Sequence, residues 1–372
     1  MKPIVFDGSC LGGARPSGVE RAFLRTLEAF RACRRETPII LFVPHDLHRS
    51  IRTAERVPDS DRELAIDAAI TVRVIPRLPL ALWREKFLCR ELRRLDARAL
   101  WTPTTALPPD APCPTIATVH ELPTRMPAAE DPPLRALRQE RARRALASRA
   151  SYVVVPSQTT ARDLARENPQ LAERIRVVPQ PLGPEMLEAA RTPKPIEEQR
   201  DRNGLVFIGL GRRRKNLACI AHAWRLLPSD VRAKQSLTWI GSASKMPARL
   251  QTAGLVGTET VSSLELVAVI RSSRGLILAS RSEGFGIPAL EALACGRPPL
   301  VARSSAPAEH CKDLAATCDP YDARSIARGM LRLLEDEELA ERASTRGPET
   351  ASRFDAASTA RAWFVILSEA SS

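Results

Sequence analysis

The chain has 372 residues, 44% hydrophobic and 27% charged, which describes a soluble globular protein too long for one ordinary core and sets an expectation of two domains. Lys and Arg outnumber Asp and Glu by 56 to 43, so an anionic partner is expected: nucleic acid, an anionic membrane surface or a phosphorylated substrate. Aromatic residues at 4% are too few for the stacking platforms of single-stranded nucleic-acid binders, and nucleic acid is set aside on that ground. The eight cysteines are scattered with no Cys-x-x-Cys pair, so neither a zinc site nor a disulfide framework is indicated. The opening Met1–Asp7 turns polar too soon for a signal peptide, and no uncharged apolar run approaches the ~18–20 residues of a membrane span. A cytoplasmic protein is expected, with any membrane contact peripheral.

Short apolar runs alternate with longer helical patterns along the whole chain, the signature of parallel α/β architecture. In the first half the strands are expected at Ile4–Phe6, Ile39–Val43, Val72–Ile75, Ala99–Trp101, Thr115–Val119, Tyr152–Val155 and Ile175–Val178. Helices are expected between them at Gly18–Cys33, Trp83–Leu95, Leu134–Ser148 and Thr159–Arg166, the last capped by Ser157. The stretch from Pro179 to Asn203 breaks the rhythm with five prolines and reads as the crossing between domains. A second series follows. It has strands at Leu205–Ile208, Leu237–Ile240 and Leu276–Leu278, then near Pro299–Val301 and Ala315–Thr317. Its helices start at Leu217, Leu264 and Pro288, and the C-terminus is helical at Asp322–Leu334, Asp336–Ser344 and Asp355–Glu369. The domains are expected at 1–180, 204–352 and a final segment 353–372, with 181–203 as linker. The natural binding site of two such units is a cleft at the carboxyl ends of their strands.

Four loops could carry chemistry. The first follows the first strand and holds Gly12, Gly13 and Gly18, though not as Gly-x-Gly-x-x-Gly; a plain flexible turn explains it as well. The second is Thr118-Val-His-Glu-Leu122, which ends an apolar strand and places His120 at the strand end expected to face the cleft. The third is Gly209-Leu-Gly-Arg-Arg-Arg-Lys-Asn216, between a strand and a helix. Four consecutive cations, Arg212 to Lys215, repel one another without an anion, and arginine and lysine are phosphate ligands. The fourth is Ser280 to Pro288, where Glu283 precedes Gly284-Phe285-Gly286-Ile287 and a helix follows. Glycines let the backbone approach a ligand, and a fresh helix N-terminus offers unpaired N–H groups and a positive dipole end. Glu291 lies eight positions after Glu283, so acids flank this phosphate-type loop and can grip sugar hydroxyls. Two arginine-rich helices, Trp83–Arg98 and Leu134–Arg149, read equally as solvated faces or as surfaces for anionic lipid.

Together these pieces resemble the retaining GT-B glycosyltransferases of family 4 over nearly the whole chain. Glu283-Gly-Phe-Gly-Ile-Pro-Ala-Leu-Glu291 looks like that family's Glu-x7-Glu motif, and Ala292-Leu-Ala-Cys-Gly-Arg-Pro298 continues it. Arg214-Lys-Asn216 looks like its diphosphate-binding Arg-Lys-Asn, Gly18-Val-Glu-Arg21 resembles the entry to its first helix, and His120 occupies its active-site histidine position. The resemblance implies a GT-B fold, two Rossmann-like domains facing each other across a cleft. It implies that Lys215, with Arg212, Arg213 or Arg214, neutralises the donor diphosphate as it leaves. Backbone amides of Gly284, Phe285, Gly286 and Ile287 would hold the sugar and distal phosphate, and Gly12, Gly13 and Gly209 would approach the phosphates. Glu283 would bind donor sugar hydroxyls, Glu291 the ribose hydroxyls, and His120 the sugar near the transferred carbon. No metal or other cofactor is implied; a GDP- or UDP-linked sugar is the co-substrate. Three departures stand out: Glu121 where the family usually has Asp, Arg213 where it usually has proline, and no early arginine after Gly209.

The activity so implied is transfer of a hexose, mannose among the candidates, with retention of anomeric configuration. The acceptor would be a glycan or lipid-linked sugar in surface polysaccharide, lipopolysaccharide or glycolipid synthesis. The competing readings are another GT-B activity, such as a phosphorylase or sugar-nucleotide epimerase, and an inactive basic protein that binds membrane or nucleic acid.

Overall fold

The computed structural model describes residues 2–11, 18–32, 37–45, 47, 63–67, 70–122, 133–192, 203–209, 213–241, 255–258 and 261–370. They form two compact units. The N-terminal unit takes Met1–His120, Asp131–Pro181 and Ala356–Ser372; the C-terminal unit takes Glu121–Glu130 and Leu182–Asp355.

In the N-terminal unit the strands are β1 (Ile4–Asp7), β2 (Ile39–Val43), β3 (Glu63–Asp67), β4 (Ile70–Val74), β5 (Ala99–Thr102), β6 (Thr115–Thr118), β7 (Tyr152–Val155) and β8 (Ile175–Val177). Its helices are α1 (Gly18–Ala32), α2 (Leu80 to Arg94), α3 (Pro133–Arg149) and α4 (Gln158–Glu167), the last capped by the Ser157 hydroxyl. The sheet order is β3-β4-β2-β1-β5-β6-β7-β8. Runs such as Ile39-Ile-Leu-Phe-Val43 are apolar throughout because helices cover both faces of a parallel sheet. β3 is the exception. It pairs antiparallel to β4 at the edge with a bulge near Ala65 and Asp67, and its Glu-Leu-Ala-Ile-Asp sequence gave no strand expectation. α2 starts three residues before its expected start and contains a π-helical stretch, Trp83–Leu88. The wider turn brings Trp83 and Leu88, five apart, into the same core.

The C-terminal unit opens with α5 (Pro184–Arg191), a helix inside the stretch expected as linker. Proline at its first turn and Glu185 beside it suit a helix start, and Met186, Ala189 and Ala190 are buried. The strands are β9 (Leu205–Ile208), β10 (Leu237–Ile240), β11 (Leu255–Thr258), β12 (Gly275–Leu278), β13 (Pro299–Ala302) and β14 (Ala316–Cys318). The helices are α6 (Leu217–Arg225), α7 (Ser229–Lys234), α8 (Ser263–Ser272), α9 (Ile287–Ala294), α10 (Ala306–Cys311), α11 (Ala323–Glu335) and α12 (Glu337–Ser352). All pairings are parallel, in the order β11-β10-β9-β12-β13-β14. The order reverses between β9 and β12, so the loops leaving these two strands emerge side by side.

The last helix, α13 (Ala356–Glu369), belongs to the N-terminal unit and packs on α1. Trp363 sits 4.4 Å from the Trp101 ring and 6.4 Å from Phe30, and Phe364 meets Phe30 edge-on at 5.1 Å. Trp101 in turn touches Phe6 and Phe23 and donates its indole N–H to the Thr118 hydroxyl. This aromatic cluster ties the end of the chain to its first strand. Trp363→Ala is expected to cost about 3–5 kcal/mol of N-terminal unit stability. Urea unfolding followed by tryptophan fluorescence checks this, and an unchanged midpoint would show that α13 is only loosely docked.

Candidate functional site

The side-by-side exits of β9 and β12 create the main constellation. After β9 the chain makes a short 3-10 turn, Arg213–Lys215, and enters α6 through Asn216. After β12 it runs through Ala279 to Gly286 and enters α9. Lys215 Nζ donates to Glu283 Oε2 at 2.7 Å, and each side chain is only 13% exposed. Arg214 Nη1 lies 3.8 Å from the same carboxylate oxygen. It also lies 2.8 Å from Glu121 Oε2, close enough for an ion pair but not aligned as a hydrogen bond. Glu121 and Leu122 belong to the C-terminal unit, and the Ser282 hydroxyl reaches the Leu122 carbonyl at 3.4 Å. Burial alone would push the Glu283 carboxyl up. The Lys215 and Arg214 charges, with the hydrogen bond from Lys215, outweigh it and hold Glu283 below the usual range, ionised. Two acids and two cations thus share one corner.

Gly286 makes the entry to α9. Its backbone is left-handed at φ +91°, and a Cβ there would stand 2.3 Å from Pro307 Cγ in α10. No other residue fits that turn. Ile287 and Pro288 then open the helix at its positive dipole end; Pro288 has no N–H to offer, and the Ala289 N–H donates to the Gly286 carbonyl at 2.9 Å. Gly284 is buried, and the Phe285 ring points inward against His310 at 4.6 Å and Phe354 at 5.6 Å. Only the Phe285 backbone is therefore on offer to a ligand. Glu291, in the second turn of α9, is 6% exposed. Gly209 sits at φ +153°, and a Cβ there would come within 3.5 Å of the Lys215 stem. Arg213 is exposed, whereas Gly12, Gly13 and Arg212 lie outside the described residues.

His120 lies two residues beyond β6 in the N-terminal unit. Its Nε2 lies 3.0 Å from the Pro103 carbonyl, which can only accept, so Nε2 carries the proton. Nδ1 then accepts from the Gln180 amide at 3.1 Å. Burial lowers its pKa to about 4, against the opposing pull of the Pro103 carbonyl. His120 is a neutral imidazole with both nitrogens committed, suited to contact rather than proton transfer. A cavity of about 20 Å³, room for one water, lies beside it between Trp101, Trp363, Pro103 and Gln180. At the end of β1, Asp7 accepts from Arg84 Nε at 3.1 Å, and Arg84 Nη2 donates to the Ser9 hydroxyl at 2.6 Å. Burial pushes the thiols of Cys10, Cys295, Cys311 and Cys318 up to about 12, so none of these is a nucleophile at neutral pH. Sequence reasoning missed Gln180 and Arg84. A lone glutamine among prolines and one arginine among many carry no pattern that separates them.

Comparison with known proteins decides what the two units are. Residues 16–185 match the family model described as Glycosyltransferase Family 4, and residues 189–350 match that of Glycosyl transferases group 1. The chain belongs to the GT-B glycosyltransferases. Among solved structures, this GT-B chain is similar to sucrose-phosphate synthase from Thermosynechococcus elongatus, at TM-score 0.70 and 16% identity over 99% of this chain and 97% of that one. It is equally similar to Anabaena HepE, solved in complex with UDP and glucose, at TM-score 0.69 and 13% identity over 99% of this chain and 100% of that one. In sequence it is 29% identical over 157 residues to the Escherichia coli O-antigen chain mannosyltransferase B, covering 40% of this chain and 41% of that protein. It is 23% identical over 229 residues to the E. coli serotype-specific mannosyltransferase WbdA, covering 57% and 28%. The match thus spans less than half the length of either curated relative.

The His120 geometry sets a pH behaviour. Burial holds its native pKa at about 4, below the ordinary histidine value of 6.5. Between those values the unfolded chain binds a proton that the native one does not, so the His120 contribution to stability falls as pH drops from 6.5 toward 4. NMR titration of the His120 ring should give a midpoint near 4. A midpoint above 6 would contradict the hydrogen-bond assignment.

Proposed function

We propose that this GT-B protein is a retaining hexosyltransferase that moves a sugar from a GDP- or UDP-linked donor to a glycan or lipid-linked acceptor. The observation that carries the reading is the Lys215–Glu283 pair, 2.7 Å apart beside the left-handed entry to α9. Lys215 and Arg214 are the cations for the diphosphate, and the first turn of α9 is the seat for the distal phosphate and sugar. A diphosphate competes with Glu283 for Lys215, which turns the Glu283 carboxylate toward donor hydroxyls. As the bond from the anomeric carbon to the phosphate oxygen breaks, its electron pair passes to the diphosphate, and Lys215 stabilises the charge that grows there. The acceptor hydroxyl bonds to the same face of that carbon, and its proton goes to the departing phosphate. No protein base is required, which suits a His120 that is neutral and fully hydrogen-bonded. His120 is assigned a contact with the donor sugar. Glu291, which is 6% exposed, is assigned the ribose.

Mannose is the sugar favoured by the names of the sequence relatives, and O-antigen or a related surface polysaccharide is the favoured product. Peripheral contact with an anionic membrane is assigned to α2, where Leu80, Leu82 and Phe87 are exposed beside Lys86 and Arg90. A cytoplasmic location facing that membrane accords with it.

Calorimetry with UDP, GDP and ADP tests the donor half. One of the three should bind the wild-type protein, and Lys215→Ala should weaken it at least about tenfold. Glu283→Ala, Glu291→Ala and Lys215→Ala should each lower transfer about 10²–10³-fold with unchanged circular dichroism. Full activity in the Lys215 and Glu291 variants would sink the assignment.

A further inference from the structure

Lys215 and Glu283 lie on different loops, and something must fix one against the other. The described contacts single out Asn216. It is a non-glycine residue in the left-handed region, at φ +66°, and only 3% exposed. Such a conformation is strained for a residue with a side chain and persists when surrounding contacts over-determine it. Here they do. The Asn216 Nδ2 donates to the Ala279 carbonyl at 3.0 Å and to the Pro320 carbonyl at 2.6 Å, and Oδ1 accepts from Arg281 Nε at 3.1 Å. Arg281 closes the ring, because its backbone N–H donates to the Arg214 carbonyl at 2.9 Å and its guanidinium lies over the Tyr321 ring. One amide thus joins the loop bearing Arg214 and Lys215 to the loop bearing Glu283, and both to the loop after β14.

We infer that Asn216 is a positioning residue for the donor site: it sets the register between the 213–216 and 279–283 loops, and so places Lys215 against Glu283 and against an incoming diphosphate. Asn216 does not touch the donor. Arg281 is the second member of the same brace. The inference rests on the donor-site reading above, since it assigns Asn216 an effect on phosphate affinity that acts only through Lys215.

A double-mutant cycle separates this role from a purely structural one. Asn216→Gly keeps the left-handed backbone at no steric cost and removes all three side-chain hydrogen bonds. It should lower the affinity for the nucleoside diphosphate that the wild type binds by about tenfold, a hydrogen-bond-sized loss. In a Lys215→Ala background the same substitution should change that affinity less than about twofold, because the group it positions is gone. Arg281→Ala, which leaves the Asn216 backbone untouched, should give a smaller loss with the same dependence on Lys215. Thermal unfolding of each variant reports any general damage. The inference is overturned if Asn216→Gly binds like the wild type, or if its loss is the same with and without Lys215. Should Asn216→Gly fail to fold, the Arg281→Ala cycle decides by the same criteria. A wild-type protein that binds none of UDP, GDP and ADP overturns the donor-site reading itself, and this inference with it.

Discussion

A largely buried ion pair, Lys215 with Glu283, is the constraint around which the C-terminal unit is organised. Such a pair is a poor way to gain stability. Removing two charges from water costs several kcal/mol each, and well-packed apolar side chains of the same volume would serve as well or better. At 13% exposure these two side chains carry that cost without a deep core to show for it. Arg214 and Glu121 add a second cation and a second acid at the same corner. The arrangement makes sense if an anion with more charge than a carboxylate is its proper occupant. Glu283 and Glu121 act as counter-ions to Lys215 and Arg214, which keeps the loop from repelling itself apart.

The fold explains why these groups meet. Lys215 and Glu283 are 68 residues apart in sequence, and only the reversal of strand order between β9 and β12 makes their loops neighbours. Asn216 then locks the loops together, and Gly286 turns the chain sharply enough for α9 to begin beside them. Each device is local, and each follows a strand whose apolar sequence leaves it little freedom. Precision at the site is thus set by the sheet and refined by a few hydrogen bonds.

Much of this was legible in the sequence. The strands that position the site, β1, β9 and β12, are short continuous apolar runs, and parallel sheets buried on both faces read that way. The Glu283–Glu291 motif and the Arg214–Lys215 pair were visible because their residue types and spacing are unusual together. What escaped has a physical reason in each case. β3 carries charges at both ends and pairs only on one edge, so it has no apolar run to find. α5 has a proline start and an acid in its first turn, but the prolines on either side of it read as a crossing. Asn216 stood in the sequence only as the last residue of the Arg-Lys-Asn match, and nothing in a sequence tells a left-handed asparagine from an extended one. The Gln180 contact to His120 Nδ1 joins residues 60 apart through a single hydrogen bond, and no periodicity records it.

The most direct test of the account is a crystal structure of the protein with a bound nucleoside diphosphate, UDP or GDP. The account predicts the distal phosphate at the head of α9 with Lys215 Nζ in hydrogen-bond contact and the Lys215–Glu283 bond opened. A diphosphate seated away from the 213–216 and 283–287 loops, with that ion pair intact, would contradict it.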